Sequence, residues 1–237
     1  MSRLLEKKQY QSRQRALVED IVSGKLARRS TMSAVPIRSN WSQDDQRCLS
    51  IVSFVPNAVA KAIRTKVIEP LNALSPDHYF YPDTSLHLTI KNIRTLSSPP
   101  NFDESDIATA CDVVRGVVGS HRPIRFELAE LAPFSTSVSL IGYCSEDLHD
   151  LVRDLDRALR KAGLADDKRY ASDSVYFGNI TVCRYSRPLS ESTAAAIRAL
   201  EINPPIDLVV CNLSIAIFDS VCSPGSQHIA ASIKLAK

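Results

Sequence analysis

The chain has 237 residues, of which 44% are apolar and 23% charged, and its formal net charge is +3. This length and composition suit a globular protein of one large or two small domains, and no apolar run is long enough to span a membrane. Residues 1–30 hold eight Lys and Arg against three acids, so the rest of the chain offers no broad basic platform for nucleic acid.

Six cysteines are spread along the chain, at positions 48, 111, 144, 183, 211 and 222, and none forms a C-x-x-C pair. This spacing does not match zinc-finger or iron–sulfur sites. We predict no metal and no cofactor. The N-terminus has no apolar segment before a small-residue cleavage site, and we expect no secretory signal. Reduced thiols in a cytoplasmic protein are therefore the expectation.

The first 42 residues predict a basic helical extension and a tether. Residues 4–29 contain no Pro and one Gly, with apolar side chains at helical spacing, and a polar stretch follows at 30–42. Such a segment is either a solvated or loosely docked appendage or an arm that contacts RNA or a protein partner. We divide the chain into this extension, 1–42, and one domain, 43–237.

The sequence pattern of residues 43–237 predicts helices interspersed among strands. Predicted strands cover 48–55, 78–81, 85–93, 123–131, 138–144, 174–185, 206–218 and 227–235. Predicted helices cover 57–74, 103–118, 145–162 and 190–200. This order is typical of an α+β fold with mostly antiparallel sheets.

The strand predicted at 85–93 carries one polar face. At strand period His87, Thr89 and Lys91 share that face, and aliphatic residues share the other. An imidazole exchanges a proton near neutral pH, a hydroxyl donates to a phosphate oxygen, and an ammonium offsets its charge. This strand is therefore a candidate phosphate site, although a half-exposed strand with an incidental histidine has the same pattern.

A second strand repeats the pattern 92 residues later. There Asn179 and Thr181 take the places of His87 and Thr89, and each pair is separated and followed by an aliphatic residue. The repeat indicates two lobes related by an approximate twofold, with the two strands facing each other across a cleft. Arg184 is opposite in parity to Thr181, so it is expected to point away unless a β-bulge re-aims it.

The two motifs resemble those of the 2H phosphoesterase superfamily, which includes 2'-5' RNA ligase-like proteins and cyclic nucleotide phosphodiesterases. That family carries two His-x-Thr/Ser motifs at about this separation, one on each lobe. The resemblance covers about residues 47–237. It implies a bilobal, pseudo-twofold α+β fold in which two mostly antiparallel sheets line a central cleft with helices outside, here with an N-terminal helical extension.

The resemblance also implies roles for individual residues. The catalytic set carried over from the family is His87, Thr89, Asn179 and Thr181. The phosphate-binding set is Thr89, Thr181, Lys91 and Arg184. No metal is implied, because two imidazoles serve as general acid and general base in the family.

The chain departs from the family at Asn179, where the second histidine belongs. An amide hydrogen-bonds a phosphate oxygen but cannot exchange a proton near neutral pH, and His78 or His228 cannot be placed beside Thr181 from the sequence. The implied function is a metal-independent phosphodiesterase or RNA ligase-like protein acting on 2',3'-cyclic phosphates or 2'-5' linkages of nucleotides or RNA ends. The alternative is a catalytically silent module that binds nucleotides or RNA ends.

Overall fold

The computed structural model of the protein describes residues 3–26, 35–42, 44–168 and 170–236. Its helices are α1 (Arg3–Val22), α2 (Asn57–Ile63), α3 (Glu69–Leu74), α4 (Glu104–Val118), α5 (Asp147–Lys161) and α6 (Glu191–Arg198), and a π-helical turn (Arg64–Ile68) joins α2 to α3. Its strands are β1 (Arg47–Phe54), β2 (Tyr79–Phe80), β3 (His87–Ser97), β4 (Ile124–Pro133), β5 (Ser137–Tyr143), β6 (Gly178–Arg184), β7 (Ile206–Val210), β8 (Asn212–Phe218) and β9 (His228–Lys234).

The strands form two antiparallel sheets. The four-stranded sheet has the order β3-β1-β8-β9 and the five-stranded sheet the order β2-β6-β5-β4-β7. The two sheets approach each other where β3 contacts β6, so the strands that carry the two sequence motifs face each other. The α+β fold with antiparallel sheets is confirmed.

The single strand predicted over 206–218 is wrong. The chain breaks at Cys211 into β7, an edge strand of the five-stranded sheet, and β8, an inner strand of the four-stranded sheet. Alternate residues of β7 are exposed, whereas β8 is buried on both faces over most of its length. Neither Gly nor Pro marks the point where the chain passes from one sheet to the other. The sequence therefore has the pattern of one continuous, largely apolar strand.

The helices cover the outer faces of the sheets. Helices α2 and α6 pack on the five-stranded sheet, α4 and α5 pack on the four-stranded sheet, and α3 packs against α6. The Asp103 carboxylate caps α4 by accepting from the amides of Ser105 and Asp106 at 2.8 and 3.0 Å. The apolar stripe predicted for α5, from Leu148 to Leu159, is buried as expected.

Helix α1 is docked on the five-stranded sheet rather than solvated. Tyr10, Gln14 and Val18 recur every four residues on its inner face and are almost fully buried. The Gln14 amide donates to the Tyr176 carbonyl at 2.6 Å and accepts from the Cys144 amide at 3.2 Å. The Tyr10 hydroxyl accepts from the Tyr176 amide at 3.0 Å. The extension therefore packs against the domain through specific hydrogen bonds.

The predicted tether is only partly described, because residues 27–34 lie outside the described residues. From Val35 onward it packs on the main core, where the Trp41 ring centroid lies 6.4 Å from that of Tyr79. Among the described helices, none combines the length and apolarity needed to cross a bilayer.

Candidate functional site

A cavity of about 670 Å³ lies between β3 and β6. Its polar lining includes residues of both strands that carry the two motifs, together with residues of β1 and of the surrounding loops. Among the polar lining residues are Ser50, Tyr81, His87, Thr89, Asn92, Lys168, Tyr170, Asn179, Thr181 and Arg184.

The His87 ring is held in one orientation and one tautomer. Its Nδ1 lies 2.8 Å from the Ser85 carbonyl oxygen, which can only accept, so Nδ1 carries the proton and Nε2 keeps a lone pair. The ring packs beside Phe54 and Phe218, with centroids 6.1 and 5.1 Å away. Burial, with a smaller contribution from the Arg184 charge, lowers the pKa of His87 to about 4. At neutral pH His87 is therefore uncharged, and its Nε2 has a lone pair that can accept a hydrogen bond or a proton.

A β-bulge in β3 changes which residues face the cavity. Thr89 pairs with Val52 and Lys91 with the adjacent Ile51, so Ile90 is the extra residue. Beyond this bulge Asn92, rather than Lys91, lines the cavity.

The prediction that Lys91 contacts phosphate is therefore wrong, because Lys91 does not line the cavity. Its side chain is 3% exposed and ion-paired with Asp156 at 2.9 Å and with Asp166. Its Nζ also lies 4.9 Å from the centroid of the Tyr170 ring. Lys91 is a structural cation behind the site.

A second bulge brings Arg184 into the site. Thr181 pairs with Ser139 and Cys183 with Val138, so Val182 is the extra residue in β6. Beyond the bulge Arg184 returns to the face of Asn179 and Thr181, and all three line the cavity. The Arg184 Nε donates to the Tyr81 hydroxyl at 3.3 Å.

Asn179 lines the cavity on the same strand as Thr181. Its Oδ1 is buried without a hydrogen-bond partner among the described residues. Of the two imidazoles considered as replacements, His78 packs against Tyr185 with its Nδ1 accepting from the Ser186 amide, and His228 lies on the exposed edge strand β9. Neither lines the cavity. Asn179 can hydrogen-bond a ligand, but no second imidazole stands beside it in the described part of the chain.

Lys168 also lines the cavity, and sequence reasoning missed it. Within the described ranges no carboxylate lies within 4 Å of its Nζ; Asp166 pairs with Lys91, and Asp167 accepts from the Thr95 amide at 2.8 Å. Burial and the Arg184 charge lower the pKa of Lys168. In the sequence it is one charged residue of a polar loop, which gives no signal of a site.

The cavity is electropositive. Arg184 and Lys168 both line it, and neither has a carboxylate partner within 4 Å among the residues the structure describes. The one carboxylate in the described lining, that of Asp219, accepts from the backbone amides of Val221 and Ser223 at 3.1 and 2.9 Å. Two cations beside two threonine hydroxyls suit an anion such as phosphate.

Helix α1 supplies part of the wall. Leu17, Ile21 and Val22 line the cavity from one side, close to Phe134 and Phe177 of the five-stranded lobe. The extension therefore contributes an apolar surface next to the polar floor.

The sequence matches no family model and no curated protein. Solved structures do share its fold. A structure described as a phosphoesterase is 11% identical with a TM-score of 0.57, and the match covers 81% of this chain and 100% of that one. The Escherichia coli protein LigT in complex with 3'-AMP is 12% identical with a TM-score of 0.55, covering 81% and 100%. LigT in complex with NADP+ is 11% identical with a TM-score of 0.54, covering 81% and 99%.

These matches show that the chain shares its fold with the phosphoesterase and LigT structures. The matched structures are covered over their whole length, whereas about a fifth of this chain remains outside. The 46 residues that precede β1 amount to the same share.

Proposed function

We propose that this protein is a metal-independent phosphodiesterase that acts on 2',3'-cyclic phosphates or 2'-5' linkages at the ends of nucleotides or RNA. The observation that carries the proposal is the His87 tautomer, whose unprotonated Nε2 lies in the same cavity as Thr89, Thr181 and Arg184. The neighbouring LigT structures hold 3'-AMP, ATP and NADP+, all of which carry phosphate groups.

In the proposed reaction the hydroxyls of Thr89 and Thr181 and the Arg184 guanidinium bind the phosphate oxygens. The Nε2 of His87 takes a proton from the attacking water while the water oxygen forms a bond to phosphorus. One phosphorus–oxygen ester bond then breaks. The Asn179 amide donates a hydrogen bond to the negative charge that develops on the phosphoryl oxygens.

A silent binding module is the second candidate, and the observation that favours it is Asn179 itself. The loss of one proton-transfer partner lowers a rate by about 10²–10⁴, whereas an amide still contributes a hydrogen bond to binding. Such a protein would bind nucleotides or RNA ends in the same cavity without turning them over.

One set of variants separates the two candidates. Wild type, His87→Ala and Asn179→His are assayed on a 2',3'-cyclic nucleotide with EDTA present, and 3'-AMP binding is measured by calorimetry. The control is His228→Ala, because His228 lies on an exposed edge strand outside the cavity. A phosphodiesterase predicts turnover by wild type and control and a roughly 10²–10⁴-fold loss in His87→Ala. A silent module predicts binding by all four proteins and turnover by Asn179→His alone. The absence of binding in every protein would exclude both functions.

We include a contact with longer RNA through α1 in the proposal. Lys8 and Arg13 are exposed on this helix, whose Leu17 and Ile21 reach the cavity, so an RNA that enters the site can continue along a basic surface. Lys8→Gln combined with Arg13→Gln is expected to weaken the binding of an oligonucleotide but not of 3'-AMP, with a smaller salt dependence. Equal affinities for the oligonucleotide before and after the change would remove α1 from the RNA site.

A cytoplasmic location also belongs to the proposal. All six cysteines are free thiols and five of them are buried. Unpaired thiols suit a reducing compartment. Fractionation of cells that express the full chain tests this, and recovery from an oxidising compartment would contradict it.

A further inference from the structure

Proton transfer at the proposed site is incomplete without a second group. His87 can remove the proton of the attacking water, but an ester oxygen that leaves as an alkoxide needs a proton in return. Asn179 cannot supply it. Burial raises the pKa of the Tyr81 phenol in the cavity wall and raises that of the Cys48 thiol to about 11, so neither residue is poised to release and regain a proton near neutral pH.

We propose that Lys168 is the general acid of this site and fulfils the role of the missing second imidazole. The inference rests on the proposed phosphodiesterase function and assigns a catalytic residue within it. Its basis is the placement of an ammonium group in the same cavity as His87, Asn179 and Arg184.

The loop that carries Lys168 is fastened to the strand of the first motif. The Arg94 guanidinium donates to the Ala165 carbonyl at 2.7 Å, and the Asp167 carboxylate accepts from the amide and hydroxyl of Thr95 at 2.8 and 3.1 Å. These bonds fix the loop on both sides of its buried ion pair between Asp166 and Lys91. These bonds hold the backbone next to Lys168 in a fixed position. A group that acts on a substrate has to be positioned in this way.

Lys168 forms no ion pair with a carboxylate in the described part of the chain. The two acids that precede it are occupied by Lys91 and Thr95, and the nearby charge of Arg184 opposes its own. Desolvation and this repulsion lower the pKa of Lys168 from its ordinary value of 10.5. An ammonium in such a place holds its proton less tightly and gives it up more readily to a developing alkoxide.

In the proposed step Lys168 gives one proton and His87 takes one. The Lys168 ammonium transfers one proton to the ester oxygen as the phosphorus–oxygen bond breaks, leaving a neutral amine, an alcohol and a phosphate monoester. His87 has by then taken one proton from the attacking water and is an imidazolium. The imidazolium releases its proton to solvent and the amine takes one from solvent, so no proton is gained or lost over the cycle.

The test compares Lys168→Arg with Lys168→Met, with the exposed Lys161→Met as control. Arginine keeps the charge but does not release a proton near neutral pH. We expect 3'-AMP binding and KM to stay within about threefold in Lys168→Arg while kcat falls about 10²-fold or more. In Lys168→Met both binding and kcat fall. The high-pH decrease of wild-type kcat, which reports loss of the ammonium proton, should be absent in Lys168→Arg.

A second readout separates proton donation from charge. A p-nitrophenyl ester of a nucleotide releases a phenolate that needs no proton, so Lys168→Arg is expected to hydrolyse it at a rate close to wild type. Wild-type kcat on the cyclic nucleotide in Lys168→Arg would overturn the proposal, as would an equal loss on both substrates. If wild-type turnover is present and unchanged in both variants, only the role of Lys168 fails. If wild type shows no turnover, the phosphodiesterase function fails with it.

Discussion

Because His87 is neutral in the folded protein, we expect the free energy of unfolding to depend on pH. This prediction can be tested without an activity assay. The pKa of His87 is about 4 in the folded protein, against an ordinary value of 6.5. Between these values the unfolded chain binds a proton that the folded protein does not. The stabilisation that His87 contributes is therefore complete above pH 6.5 and is lost as the pH falls toward 4.

The size of this loss follows from the two pKa values. They differ by about 2.5, and one pKa unit corresponds to about 1.4 kcal/mol, so acidification removes roughly 3 kcal/mol through this residue. His87→Gln replaces the imidazole by an amide that does not titrate. We expect the variant to lose about 3 kcal/mol less than wild type between pH 7.5 and pH 4.

The assay is urea unfolding at fixed pH values across this window, in buffers without phosphate so that no anion binds the cavity. Any packing cost of the substitution is present at every pH, so only the pH-dependent difference between the two proteins counts. His228→Gln serves as control because His228 lies exposed on β9. If wild type and His87→Gln lose stability in parallel, His87 does not have a lowered pKa in the folded protein.

Three substitutions test other contacts. Lys91→Met leaves the Asp166 carboxylate, 4% exposed, without its partner, and we expect a loss of about 3–5 kcal/mol in urea unfolding; Lys91→Met with Asp166→Leu should recover much of it, and no recovery would contradict the pairing. Gln14→Leu removes the buried hydrogen bonds that dock α1, and should cost about 1–3 kcal/mol and speed hydrogen exchange in that helix; unchanged exchange would show that the bonds do not hold it. Gly178→Ala places a Cβ 2.8 Å from the Phe126 ring, and thermal unfolding should report a loss of about 1–3 kcal/mol. A fully stable Gly178→Ala protein would mean that the ring moves aside freely.

Strand periodicity predicted the motif residues but failed where the strands bulge. His87 and Thr89 precede the bulge of β3, and Asn179 and Thr181 precede that of β6, so alternation placed all four in the cavity lining. Beyond each bulge the other set of alternate residues points into the cavity. Neither bulge contains a glycine or proline, so the sequence alone could not locate it.

The remaining differences arise from contacts between distant parts of the chain. Lys168 lines the cavity from a loop that is hydrogen-bonded to Arg94 and Thr95 of β3, about 70 residues earlier in the chain. Helix α1 was difficult to place because its buried face includes Gln14, a polar residue that packs because the Tyr176 carbonyl and the Cys144 amide satisfy it. Local patterns do not report such partners.

The docking of α1 links the helix to the second motif. Tyr176 receives hydrogen bonds from Tyr10 and Gln14, and it stands three residues before Asn179 in the chain. Leu17 and Ile21 of the same helix lie in the cavity wall. A ligand that contacts this wall favours the docked helix, and a partner that holds the helix in place favours the ligand by the same factor, because such coupling is reciprocal. Any such coupling would run through Leu17 and Ile21, which complete the cavity wall while α1 is docked.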